Sequence, residues 1–305
     1  MRYAVTGAAG FIGSHLGEAL QRAGHEVVGF DSFTDYYDLA LKEENARDLH
    51  VLRVDLGVDP IDFSGFDGVF HLAGQPGARS FGQVFPAYLW RNILATQRVF
   101  DAAVEAGLTV VWASSSSVYG DAETYPTPED VVPRPNNPYG VTKLSCEHLH
   151  DAYQRLFGLR AIGLRYFTVY GPRQRPDMAF ARMVAAAAGG DEFELYGDGT
   201  QSRSFTYVSD VVEATIRALD APSGIYNVGG GEETTMREVL ALLEEIAGRP
   251  LRVRTGPPQT GDMKRTRADT SRIEGAMGWR ATTPLREGLA AHFDWARERH
   301  GGLSP

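Results

Sequence analysis

The chain of 305 residues contains a single cysteine, Cys146, which excludes an internal disulfide framework. No apolar run approaches the ~20 residues needed to span a bilayer. The N-terminus lacks a charged region leading into a long apolar run and a cleavage site. Its apolar residues fit a strand and a glycine turn instead, so a cytoplasmic location is expected. Basic excess is also missing: the formal net charge is −9. That balance argues against nucleic acid and against anionic membranes as main partners. It leaves room for an anionic small molecule held by a local arginine cluster. Lysine is scarce, at Lys42, Lys143 and Lys264 only. The eight histidines offer no ligand pair on a helix face. His148 and His150 are two apart on an expected helix and point different ways, so no metal is expected.

What is present is an ordinary core-forming composition, 43% hydrophobic. Short apolar runs at 2–6, 26–30, 51–54, 69–72, 109–113 and 160–164 read as strands. Between them, 14–23, 85–106 and 139–157 have helical spacing. Strands alternating with helices imply an α/β fold, a doubly wound parallel sheet with ligands at the carboxyl ends of its strands. After Tyr166 the pattern is broken by Pro172, Pro176, Gly189, Gly190, Gly197 and Gly199. A strand at 225–228 and helices at 236–247 and 285–299 follow. The expected organisation is a dinucleotide-binding domain at 1–167, with 206–229 returning to it. A smaller, interleaved C-terminal substrate domain takes 168–205 and 230–305.

Gly7-Ala8-Ala9-Gly10-Phe11-Ile12-Gly13 lies between the first strand and the first helix. Glycines there allow a tight turn and close approach of a pyrophosphate to backbone N–H groups at a helix N-terminus. Asp31 ends the second strand, where a carboxylate binds the adenosine ribose hydroxyls and repels a 2′-phosphate. NAD is therefore expected over NADP. Asp55, ending the third strand, is a candidate adenine contact, and Leu72-Ala73-Gly74 passes beside the cofactor.

Tyr139 and Lys143 stand four apart, on one face of a helix. A phenol is a poor base near neutral pH, but a neighbouring ammonium and an oxidised nicotinamide favour its phenolate. Such a tyrosine takes a proton from a sugar hydroxyl as hydride leaves the carbon. The run Ser114-Ser115-Ser116-Ser117-Val118-Tyr119-Gly120 ends the fifth strand and supplies serines to share that proton. Cys146, one turn beyond Lys143, reads as a packing residue.

Together, the glycine turn, Asp31, the serine run with Val118-Tyr119-Gly120, and the Tyr139/Lys143 pair resemble the extended short-chain dehydrogenase/reductases. These include nucleotide-sugar epimerases, dehydratases and decarboxylases, and the resemblance covers essentially the whole chain. It implies Phe11, Ile12, Ser32, Leu56, Asn92, Tyr166 and Val169 as further NAD contacts. It places the catalytic serine at Ser115, with Ser116 beside it. Gln201-Ser202-Arg203-Ser204-Phe205 resembles a later family motif in which Arg203 binds the substrate diphosphate. Here Ser204 stands where an Asp is usual. The stretch from Gly261-Asp262 to Ala268-Asp269 resembles another substrate-side motif. Gly77, Arg79, Met178, Tyr196, Gln201 and Asp262 are implied as substrate contacts, and a homodimer through the helices at 85–106 and 139–157.

Three features narrow the resemblance. Dehydratases and UDP-xylose synthases of the family carry an acid at the position of Ser117, and here Ser116 and Ser117 are both serines. Asp31-Ser32-Phe33-Thr34-Asp35-Tyr36-Tyr37-Asp38 and the later Leu41-Lys42 resemble a stretch of the UDP-glucuronate 4-epimerase branch. Phe167-Thr168-Val169-Tyr170-Gly171-Pro172, with Arg175-Pro176-Asp177-Met178-Ala179, is close to the same branch. A threonine hydroxyl and the Arg175 fork suit a sugar carboxylate, because guanidinium matches carboxylate bidentately. The expected substrate is a UDP-sugar carrying a carboxylate, inverted at C4. A decarboxylase, a 4-epimerase of a neutral UDP- or dTDP-hexose and a non-catalytic NAD(H)-sensing protein stand as alternatives.

Overall fold

The computed structural model describes residues 1–77, 84–230, 233–257 and 263–301. The first half alternates as the apolar periodicity requires. β1 (Arg2–Thr6), α1 (Phe11–Arg22), β2 (Glu26–Asp31), α2 (Leu39–Asn45), β3 (His50–Arg53) and β4 (Gly68–His71) come first. The next helical segment is α3 (Phe85–Tyr88), a π-helical turn (Leu89–Leu94) and α4 (Ala95–Ala106). β5 (Val110–Ser115), a 3₁₀ turn (Ser116–Val118), α5 (Pro138–Phe157) and β6 (Ala161–Tyr166) follow.

The remainder is β7 (Thr168–Tyr170), α6 (Ala179–Gly189), β8 (Glu192–Tyr196), β9 (Ser202–Tyr207), α7 (Val208–Arg217) and β10 (Gly224–Val228). Last come β11 (Glu233–Thr235), α8 (Met236–Ala247), β12 (Arg252–Gly256), β13 (Arg265–Thr266), α9 (Ser271–Met277) and α10 (Leu285–Gly301).

The main sheet has seven strands in the order β3-β2-β1-β4-β5-β6-β10. Every pairing in it is parallel. The order reverses between β1 and β4, the place where a doubly wound sheet opens a crevice at its strand ends. Both faces are covered, so the central strands carry unbroken apolar runs such as Val110-Val111-Trp112. One core layer joins Val5, Leu16, Phe70, Ile162 and Leu164 with Val211 of α7. The opposite layer joins Val69, Val99, Phe100 and Trp112 with Cys146. Cys146 is buried there and packs as a small hydrophobe.

β10 pairs with β6 at the sheet edge, and α7 packs on α1. A third core gathers Phe180, Met183, Phe193, Val239, Leu243 and Leu289 from α6, β8, α8 and α10. α8 starts with a capping box: the Thr235 hydroxyl accepts from Glu238 N while the Glu238 carboxylate accepts from Thr235 N. Among the described residues, no helix is long and apolar enough to cross a membrane.

Candidate active site

The crevice at the strand ends is a cavity of about 400 Å³ lined from both halves of the chain. At one end stand Gly7, Gly10, Phe11, Ile12 and Gly13. Gly7 has φ +72°, and its N–H donates to Phe30 O at 2.7 Å, which folds the turn tightly against β2. No side chain caps the N-terminus of α1, and no acid sits in its first turn. Those first N–H groups and the positive dipole end are therefore available to an anion. Asp31 and Ser32 line the cavity beside them. Asp31 Oδ2 accepts from Ala9 N at 3.1 Å and Oδ1 from Phe33 N at 2.8 Å. A carboxylate has about four acceptor sites, so this aspartate braces the glycine turn and still has capacity for hydroxyls. Asp55 and Leu56 also face the cavity, and Asp55 Oδ1 accepts from Gly57 N at 2.9 Å.

The other end is built on β5 and α5. Asn137 caps α5, accepting from Gly140 N at 2.8 Å, and Pro138 opens the helix. A Cβ on Gly140 would lie 2.4 Å from Ser117 O, so only glycine lets the first turn of α5 rest on the serine turn. This contact brings Tyr139 to the wall shared with Ser115, Ser116 and Ser117. Ser115 Oγ accepts from Ser117 N and donates to Ser117 Oγ, each at 3.1 Å. Lys143 is buried, with Nζ donating to Ala113 O at 2.8 Å and lying 5.8 Å from the Tyr139 ring centre. Leu72, Ala73, Gly74, Tyr166, Thr168, Val169, Arg175 and Met178 complete this end.

Two buried polar networks hold the wall from behind. His71 bonds Thr6 Oγ1 at 2.7 Å and Thr96 Oγ1 at 3.0 Å. Burial, and then the charge of Lys143, pull its pKa down to about 3, so it is neutral. Beneath Ser115, the Glu147 carboxylate accepts Ser114 Oγ at 2.6 Å and both Nε (2.9 Å) and Nη2 (2.7 Å) of Arg165. Arg165 Nη1 donates in turn to Tyr119 Oη at 2.7 Å.

Several expected contacts sit elsewhere. Asn92 is fully buried and does not line the cavity. Its amide accepts from Gln75 N at 2.7 Å and donates to Thr142 Oγ1 at 2.9 Å. It therefore braces the wall; the π-helical turn around it is where that brace is placed. Gly77 (φ +106°) lies under the Tyr88 hydroxyl, which donates to its carbonyl. Tyr196, Gln201 and Arg203 line a smaller neighbouring cavity of about 170 Å³, which shares Thr168 and Met178 with the first. Arg203 donates to Ser202 O at 2.8 Å and to Met263 O. Arg79 and Asp262 lie outside the described residues.

Reading the sequence singled out no role for Arg91, which also lines the wall, whereas Met263 belongs to the substrate-side stretch that begins at Gly261, and Gln75 to the substrate loop after β4 that includes Gly77. Arg91 Nη1 donates to Gln75 Oε1 at 2.6 Å. Tyr36, Tyr37 and Lys42 line the cavity too. They belong to the Tyr-Tyr-Asp stretch already singled out, so a signal existed for them. Burial pushes the Tyr37 phenol up to about 12, so it stays protonated there.

The model of the NAD dependent epimerase/dehydratase family matches residues 3–229. A UDP-glucose epimerase of Bacillus subtilis (strain 168), itself uncharacterized, is 40% identical over 99% of this chain and 100% of its own. A UDP-glucuronate 4-epimerase of Thermodesulfobacterium geofontis is 34% identical over 97% of this chain and 96% of its own. The crystal structure of UDP-glucuronic acid 4-epimerase from Bacillus cereus, in complex with UDP-glucuronic acid and NAD, superposes with a TM-score of 0.93. It is 38% identical and covers 98% of this chain and 100% of its own. On fold, site and likeness alike, the chain belongs to the NAD dependent epimerase/dehydratase family.

Proposed function

We propose that this protein interconverts UDP-glucuronic acid and UDP-galacturonic acid by inversion at C4, with NAD as a resident cofactor. The observation that carries this reading is one cavity. Its wall holds the uncapped α1 turn and Asp31 at one end, and Tyr139, Lys143, Ser115, Thr168 and Arg175 at the other. The first group suits an adenine dinucleotide: free N–H groups for the pyrophosphate and a carboxylate for the ribose. When bound, NAD supplies the oxidising and reducing capacity at C4, so that a 4-keto sugar forms transiently and no net redox change results.

The chain's own residues supply the rest. Tyr139 holds the C4 hydroxyl proton on removal and returns it, with Ser115 sharing the hydrogen bond and Lys143 contributing its charge. Neither Ser116 nor Ser117 is an acid, so the wall lacks the group that dehydration or decarboxylation uses in this family. Oxidation at C4 turns the sugar into a β-keto acid, which loses CO₂ when its C5–C6 bond aligns with the ketone π system. Thr168 and Arg175 hold the carboxylate so that C5–C6 stays near the carbonyl plane. The guanidinium charge also opposes release of electrons from the carboxylate. Residues 168–205 and 230–305 form the nucleotide-sugar side, with Tyr196, Gln201 and Arg203 toward the diphosphate and uridine.

A homodimer through α3–α4 and α5 accounts for the exposed Leu89, Trp90 and Val141 on those helices. Light scattering giving twice the 33.4 kDa chain mass supports it, and a monomer mass refutes it. A cytoplasmic location fits the one buried thiol. The activity itself is tested by incubating the purified protein with UDP-glucuronate and no added reductant. NMR should show UDP-galacturonate without CO₂. UDP-pentose or a stable 4-keto sugar would reassign the reaction. Turnover of neutral UDP- or dTDP-hexoses alone would withdraw the role given to Arg175.

A further inference from the structure

The guanidinium assigned to the sugar carboxylate already carries a carboxylate. Arg175 Nε lies 3.0 Å from Asp177 Oδ1, and Nη2 lies 3.0 Å from Asp177 Oδ2. This is the two-oxygen, two-nitrogen fork that a bound uronate would make on the same group. The partner comes from two residues along, across Pro176. Burial alone disfavours the arginine's charge, and the Asp177 hydrogen bonds outweigh that and raise its pKa.

We propose that Asp177 is an internal stand-in for the substrate carboxylate, exchanged for it when the uronate binds. The inference rests on the reading of Arg175 as the carboxylate clamp. Three observations support exchange over a fixed brace. Asp177 occupies the Nε edge with both oxygens, so a second carboxylate on this guanidinium would face a like charge close by. The Asp177 side chain is 42% exposed against 22% for Arg175, so the released carboxylate returns to water at small cost. Asp177 is only weakly tethered besides: the Tyr36 hydroxyl donates to its Oδ2 at a long 3.4 Å, and the Arg175 guanidinium carbon lies 5.9 Å from the Tyr36 ring centre. Tyr36 thus reaches the clamp from the loop that begins at Asp31 at the other end of the cavity.

The consequence is a specificity setting. Affinity for a charged sugar reflects the difference between two carboxylates competing for one guanidinium. A neutral nucleotide sugar enters without displacing Asp177 and leaves no unpaired charge behind. Asp177 therefore narrows the preference for UDP-glucuronate over UDP-glucose.

The test measures dissociation constants of UDP-glucuronate and UDP-glucose by calorimetry on the NAD-loaded protein. A Tyr139→Phe background is used throughout to stop turnover. Asp177→Asn should tighten UDP-glucuronate about fivefold, the size expected for losing a half-exposed competing pair, while moving UDP-glucose less than about twofold. Asp177→Ser should do the same. In Arg175→Ala, the Asn substitution should tighten nothing, because the competed group is gone. Unchanged or weaker UDP-glucuronate binding in both Asp177 variants would overturn the proposal and make Asp177 a brace. Equal tightening of both sugars would overturn it in favour of a general charge effect. If Arg175→Ala alone leaves UDP-glucuronate affinity unchanged, the clamp reading itself fails, a result distinct from either of these.

Discussion

Gly13→Ala isolates the contact on which the cofactor end depends. Gly13 is inside α1, and alanine is the better helix former by about 1 kcal/mol, so propensity alone predicts a more stable protein. Packing predicts the reverse. A Cβ there would lie 2.1 Å from Gly7 O, 2.8 Å from Gly7 C and 3.1 Å from Ala8 Cα. Ordinary contact begins near 3.4 Å, so the helix and the turn must part by roughly 1 Å. All three neighbours are backbone, and no rotamer change can relieve them. The parted turn displaces the α1 N–H groups from where a pyrophosphate would meet them. Losing one charge-assisted hydrogen bond to the pyrophosphate costs about 1.5–3 kcal/mol, on the order of 10- to 10²-fold in affinity. The expected result is a folded protein that purifies with little NAD and binds added NAD about 10- to 10²-fold more weakly, measured by calorimetry and by release and assay of bound nucleotide. A Gly13→Ala protein with a full complement of NAD and a raised melting temperature would refute this reasoning.

Arg175→Ala should weaken UDP-glucuronate by 10- to 100-fold, about 1.4–2.8 kcal/mol for a charge-assisted fork, and release some UDP-pentose; a clean product at unchanged affinity counts against the clamp. Glu147→Ala should cost about 3–5 kcal/mol in urea unfolding, because it strands a buried Arg165. The apolar double replacement Glu147→Leu/Arg165→Met should recover most of that loss, and equal destabilisation of single and double variants would contradict it. Stability should also fall with acid. Burial holds His71 and His292 near a pKa of about 3 against 6.5 for a free histidine. Both are neutral when folded, so their contribution is complete above pH ~6.5 and is lost as pH falls toward ~3. Each adds up to about 1.4 kcal/mol per pH unit. Burial lowers His15 and His150 as well, so His292→Leu should remove one of several histidine contributions and make the acid slope in urea melts shallower, and an unchanged slope would show that His292 does not titrate.

The doubly wound order was legible because burial on both faces writes continuous apolar runs, and glycines and Asp31 punctuate them at strand ends. The helix read at 139–157 begins one residue earlier, at Pro138, where Asn137 supplies the cap. The segment at 85–106 kept its apolar period, but its π-helical turn at Leu89–Leu94 was hidden. A π turn bonds to the fifth residue in place of the fourth, which changes which side chains face inward without any residue type to announce it, and Asn92 went to the brace instead of the wall. β7, β8 and β9 were missed because they are three to six residues long and set among glycines and prolines. Arg203 was placed by motif, yet its hydrogen bonds reach Met263, sixty residues on. The Glu147–Arg165–Ser114 network was equally invisible, since α5, β6 and β5 must first be in register to create it. The pairing of Arg175 with Asp177 is local, but only coordinates reveal that the two side chains turn toward each other.

The most direct test of the account follows the hydrogen at C4. UDP-glucuronate carrying deuterium at C4 is converted in ordinary water by the purified protein with no added nucleotide, and the product is read by NMR and mass spectrometry. The account predicts UDP-galacturonate that retains the deuterium at C4, because the same hydrogen leaves and returns within one closed site. Product with the label exchanged for solvent hydrogen, or UDP-pentose with loss of CO₂, would contradict it.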